Sequence, residues 1–203
     1  MSAVPAELHA LLDAGQVWRG QTRHRVAAMP TGFAALDASL PGGGWPLGAL
    51  SEVLHAAPGC GELRLVLPLL ARLSQAGRPL ALVAPPLTPY APGWAQAGVV
   101  LSRLVVVDAE GHGVVDAASQ LLQAGASTVC LWQARLDDTD VRRLSLAAET
   151  AGAPLLWMRQ GRGADLQSSA ALRLRVQRQG SGLQVDVLKV RGGRAQAGLT
   201  LPL

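Results

Sequence analysis

Between Ser51 and Met158, short apolar runs alternate with segments of helical length. Strands are predicted near 51–55, at 79–84, at 103–107, at 127–132 and at 154–158, and helices at 62–76, near 91–97, at 114–124 and at 138–151. Continuously apolar strands separated by amphipathic segments mean a parallel sheet whose two faces are both covered by helices. The remainder of the chain is constrained by that sheet. With 203 residues and 49% hydrophobic content there is material for one sizeable core.

Two regions flank this alternation. Residues 4–13 place Val4, Leu8, Leu11 and Leu12 on one helical stripe, with Pro5 in the first turn and Gly15 as a stop. Residues 16–30, which hold Arg19, Arg23, His24 and Arg25, have no periodicity and read as an extended link. The expected division is therefore residues 1–29 as helix and link, and 30–203 as the main domain. At the other end, 171–178 and 183–190 alternate apolar and polar residues around the turn Gln179-Gly180-Ser181-Gly182, which predicts a hairpin with one wet face.

Charge is unevenly distributed. Residues 1–158 carry 10 arginines against 12 acids, whereas 159–203 carry seven arginines and the sole lysine, Lys189, against two aspartates. A basic segment of this kind is a footprint for nucleic acid or an acidic partner. The candidate residues are Arg173, Arg175, Arg178, Lys189, Arg191 and Arg194. The expectation is that the first three share one face of the hairpin.

No run of about 18 uninterrupted apolar residues is present, and the first residues contain acids where a signal peptide has basic and apolar regions. Cys60 and Cys130 are far apart and form no Cys-x-x-Cys pair. The expectation is a cytoplasmic protein with free thiols and no membrane segment. His9, His24, His55 and His112 show no ligand spacing among themselves or with the cysteines, and no metal site is read from them. Asp137, Asp138 and Asp140 open a helix, where capping and the helix dipole account for acids. Trp132 and Trp157, at strand ends, are expected in the core, and Trp18 in the irregular link is the preferred interface anchor.

Residues 51–67 read as strand, glycine-containing loop and helix, the setting of a phosphate-binding P-loop. Such a loop needs Gly-Lys-Ser/Thr at the helix start, where the lysine meets phosphate and the hydroxyl holds Mg²⁺. Here Pro58, Gly59 and Gly61 keep the turn, while Glu62 and Leu63 stand at the positions of the lysine and the hydroxyl. A carboxylate suits the helix N-terminus and repels phosphate from it. Arg64, the one cation near the loop, lies past the helix start.

Upstream, Thr31-Gly32, Leu36-Asp37, Gly43-Gly44, Pro46 and Gly48 occur in an order that closely resembles the entrance to the RecA core. The resemblance implies a RecA-like fold, with a catalytic glutamate after the second core strand and a metal-supporting aspartate at the end of the strand at 127–132. This chain has Pro85-Pro86 and Trp132-Gln133 at those places. It implies a pseudo-ATPase without cofactor or catalytic residues.

Within that group the chain resembles the ImuA-type translesion-synthesis accessory proteins. The matching elements are Val17-Trp18-Arg19-Gly20, Val187-Leu188-Lys189, Arg191-Gly192-Gly193-Arg194 and Leu199-Thr200-Leu201-Pro202-Leu203. The resemblance implies a non-catalytic role in SOS-induced mutagenesis, with ImuB, an error-prone C-family DNA polymerase and RecA as partners. Single-stranded DNA is a further candidate for the basic tail. Leu8, Leu11, Leu12 and Trp18 at one end and Leu201 and Leu203 at the other are the expected partner anchors. The alternative is a protein resembling SulA, which would inhibit cell division by binding FtsZ.

Overall fold

The computed structural model describes residues 27–161 and 168–202. The strands are β1 (Ala28–Met29), β2 (Trp45–Pro46), β3 (Ala49–His55), β4 (Leu80–Val83), β5 (Leu104–Val107), β6 (Thr128–Trp132), β7 (Pro154–Gln160), β8 (Leu172–Gln179), β9 (Gly182–Val190) and β10 (Gln196–Leu201). The helices are α1 (Ala34–Ser39), α2 (Glu62–Gln75), α3 (Ala91–Gln96), α4 (Gly113–Gln123) and α5 (Asp138–Ala151). β1 and β2 form a two-stranded ladder, and the other eight make one sheet in the order β10-β9-β8-β3-β7-β6-β4-β5. From β8 to β5 neighbouring strands are parallel; β8, β9 and β10 run antiparallel to one another. The expected mostly parallel sheet with flanking helices and a C-terminal hairpin is therefore present. β10 is an additional strand that the sequence reading did not include.

Each face has its own core. On one, Leu65, Val66, Leu69, Leu70 and Leu73 of α2 pack on Val53, Leu82, Cys130, Leu156 and the apolar residues of β8 and β9. On the other, Val115, Ala118 and Leu122 of α4 and Val141, Leu144 and Ala148 of α5 cover Leu50, Val83, Leu131, Leu155 and Trp157. The helix ends follow local chemistry. The Asp137 side chain accepts from the Asp140 N–H at 2.8 Å and caps α5, with Asp138 and Asp140 in the first turn. That is the capping role read from the sequence. Gly152 closes the helix in the left-handed region, φ 61°.

The segment before β3 is a clasp. The Thr31 N–H and hydroxyl both donate to Asp37 Oδ1 at 2.7 Å, and the Phe33 N–H donates to Thr31 Oγ1 at 3.1 Å. Gly32 follows with φ 96°, and a Cβ there would stand 2.5 Å from the Pro68 Cβ of α2. The Thr-Gly…Leu-Asp spacing thus fixes how the entering chain crosses the helix beneath it.

Candidate functional site

β3 delivers His55 to the carboxyl end of the sheet, and α2 begins seven residues later at Glu62. This is the strand-loop-helix setting expected from the sequence. The Glu62 side chain turns back into the loop, where its Oε1 accepts from the Gly59 N–H at 2.7 Å, and the residue is 2% exposed. The position that would face a phosphate is filled by the protein's own carboxylate. Cys60 closes the same turn: its thiol donates to the Ala57 carbonyl at 2.8 Å, and the Ala57 N–H points to its sulfur at 3.4 Å.

From above, Leu183 of β9 presses on the loop, and a Cβ on Gly61 (φ 110°) would meet the Leu183 Cδ2 at 2.2 Å. What remains between Gly59, Glu62, Arg64, Arg178 and Leu183 is a cavity of about 170 Å³. Small-molecule pockets usually hold about 300–1,000 Å³. Arg64 is exposed and makes no salt bridge among the described residues.

The two places where the RecA resemblance expects carboxylates are built for structure. After β4, Ala84 adopts φ 52° before Pro85 and Pro86, and its N–H donates to the Val107 carbonyl at 2.8 Å. After β6, Trp132 is buried, and the Gln133 carbonyl accepts from the Trp157 indole N–H at 2.7 Å. Trp45, Trp94, Trp132 and Trp157 all lie in the core. Trp18 lies outside the described residues.

Two side chains of β3 were given no role in the sequence reading. Glu52 is fully buried within β3, where Arg159 Nη1 donates to its Oε1 at 2.8 Å and Arg173 Nε to its Oε2 at 2.5 Å. The Arg159 guanidinium also lies 4.8 Å from the Trp157 ring centroid. His55 is 2% exposed, and neither ring nitrogen has a hydrogen-bond partner among the described residues. An acid in the middle of a strand, and a histidine at the strand end followed by Cys60 and Glu62, were the available signals.

The hairpin departs from expectation. Its predicted wet face is not solvated near β3, because β8 continues the central sheet and its arginines meet internal acids. Arg173 is 7% exposed beside Glu52, and the Arg175 Nη2 donates to Asp186 Oδ2 at 2.7 Å. Burial alone would raise the Asp186 carboxyl, but the Gly198 N–H at 2.7 Å and the Arg175 guanidinium outweigh it and hold the pKa below its ordinary value. Arg173 and Arg175 therefore leave the proposed basic face. Arg178, Lys189, Arg191 and Arg194 are exposed, with the Lys189 ammonium donating to the Ser168 carbonyl at 3.1 Å.

The expected anchors divide in the same way. Leu201 is fully buried and pairs with Leu183 across β10 and β9, so it belongs to this chain's own core. Its apolar side chain completes the sheet where a free tail was expected. Leu8, Leu11, Leu12 and Leu203 lie outside the described residues. Among those described, no helix is long and apolar enough to cross a membrane.

A search among curated proteins finds no match. The family model described as cell division inhibitor SulA matches residues 48–154, just over half of the chain. The matched span runs from the turn before β3, through the loop that carries Glu62, to the first residue of β7. On that match the chain belongs to the SulA family.

Proposed function

We propose that this chain is a non-catalytic interaction protein of the SOS response to DNA damage, supporting error-prone translesion synthesis. In this reading it is an ImuA-type protein with a degenerate RecA-like core, acting with ImuB, an error-prone C-family polymerase and RecA. The observation that carries the non-catalytic part is the Gly59–Glu62 hydrogen bond at 2.7 Å, which puts a carboxylate where a nucleotide phosphate would bind. The ImuA-type part is supported by the motifs on both sides of the core, from Val17-Trp18-Arg19-Gly20 to Leu199-Thr200-Leu201-Pro202-Leu203. Apolar surface suited to a protein partner is available: Leu87, Tyr90, Val105 and Val106 are 72%, 73%, 48% and 47% exposed. The last two stand on β5, an end strand of the sheet.

A second reading is favoured by the family match itself: inhibition of cell division through FtsZ. One experiment separates the two. The purified full chain is tested for binding to ImuB, RecA and FtsZ, and damage-induced mutation frequency is measured in cells lacking it. Binding to ImuB or RecA together with loss of induced mutagenesis supports the first reading. Unchanged mutagenesis, with FtsZ assembly blocked at stoichiometric ratios, sinks the first and establishes the second.

A further inference from the structure

The turn between β3 and α2 brings together three side chains of different donor chemistry. One imidazole nitrogen of His55, the Cys60 sulfur and a Glu62 carboxylate oxygen all lie within 4.8 Å of one another. His55 and Glu62 are each 2% exposed, and His55 Nδ1, His55 Nε2 and Glu62 Oε2 have no hydrogen-bond partner among the described residues. Buried polar atoms are nearly always satisfied, and leaving them unpaired costs free energy. The orphaned Glu62 oxygen and one orphaned imidazole nitrogen, beside a thiol, call for a common partner.

We propose that His55, Cys60 and Glu62 form a binding site for a borderline-soft divalent transition ion, Zn²⁺ being the best match. Nitrogen, sulfur and oxygen donors together select such an ion over Mg²⁺ or Ca²⁺, which take oxygen alone. Zinc bonds of about 2.0–2.3 Å in tetrahedral geometry set neighbouring donors about 3.5 Å apart, so a small side-chain rotation closes the set. A neutral imidazole, a thiolate and a carboxylate balance the two positive charges, which offsets the unfavourable helix N-terminus and leaves no net charge buried. Binding releases the thiol proton to solvent, and the Ala57 N–H that already points to the sulfur stays to support the thiolate.

The outer shell is prepared at Glu62. The Gly59 N–H holds Oε1 of Glu62 and leaves Oε2 for the ion. Three protein donors leave a fourth position for water or for a donor from a partner.

The test uses the full chain, freed of metal by chelation and titrated with Co²⁺, a spectroscopic stand-in for Zn²⁺. The expected result is a thiolate-to-cobalt charge-transfer band that saturates at one equivalent and disappears when Zn²⁺ is added. The chain has only one other thiol, Cys130, which is fully buried in the core. Cys60→Ser is expected to abolish the band and Cys130→Ser to leave it. Glu62→Gln preserves side-chain volume and the bond from Gly59, and is expected to weaken Zn²⁺ by more than the about 10- to 100-fold cost of losing an outer-shell partner. Absence of the band in the wild type, or its persistence in Cys60→Ser, would overturn the proposal. So would unchanged Zn²⁺ affinity in a Glu62→Gln variant of wild-type circular dichroism.

Discussion

Glu52 and Arg173 stand directly opposite each other on the parallel strands β3 and β8, and the arginine Nε reaches the carboxylate at 2.5 Å across the sheet. Arg159 completes the group from β7 on the other side. Removing this acid takes a carboxylate away from two buried guanidinium groups. Glu52→Gln is expected to destabilise by about 3–5 kcal/mol, measured by urea unfolding. The triple change Glu52→Leu, Arg159→Met and Arg173→Met is expected to recover most of that loss. A triple variant no more stable than Glu52→Gln would mean that the ions themselves are needed.

Asp186 makes part of the stability pH-dependent. Its folded pKa lies below the unfolded value of about 3.9, so its contribution is fully present above that value and is lost as pH falls through the lower folded one. Asp186→Asn is expected to cost about 1–3 kcal/mol at neutral pH. It is also expected to flatten the stability curve below about pH 4, where the wild type declines. Parallel acid-denaturation curves for the two proteins would refute the assignment.

Gly61 ties the loop to the hairpin above it. Gly61→Ala combines a strained backbone, at about 1–2 kcal/mol, with overpacking against Leu183, at about 1–3 kcal/mol. Leu183→Ala alone opens a cavity and is expected to cost about 2–5 kcal/mol. Together the two substitutions should cost less than their sum, by about 0.5–3 kcal/mol, because the second removes the clash of the first. Strict additivity in thermal melts would disprove the contact.

For nucleotide the expected result is negative. The carboxylate bonded to Gly59 and the cavity of about 170 Å³ predict no Mg²⁺-ATP binding in the micromolar range by calorimetry. Glu62→Lys with Leu63→Thr is expected to produce no turnover, since Pro85-Pro86 and Trp132-Gln133 supply no acid. ATP hydrolysis by that variant would show that the missing acids are replaced from elsewhere in the chain.

The sheet was legible wherever a strand is apolar on both faces, because such runs stand out from the amphipathic helices between them. α5 was legible from its aspartates, whose spacing fits a cap. The basic hairpin was misread for a specific reason. Alternating apolar and charged residues look the same whether the charges face water or a buried counter-ion, and Glu52 lies 121 residues before Arg173. Leu201 was misjudged likewise, since its place beside Leu183 depends on strand pairing. The His55, Cys60 and Glu62 grouping has no familiar ligand spacing; it arises from the tight turn between strand and helix.

The strand order also dictates when this domain can be assembled. β3, near the beginning of the described chain, is flanked by β7 and β8, so its two hydrogen-bonding edges are filled only by residues 154–160 and 172–176. A ribosome must deliver the chain as far as residue 176 before the middle of the sheet can close. Until then the central strand offers two open edges, and contacts of such sequence separation form slowly. Fragments ending before β8 are therefore expected to be sticky during synthesis and open to proteases, even though they contain the whole span matched by the family model.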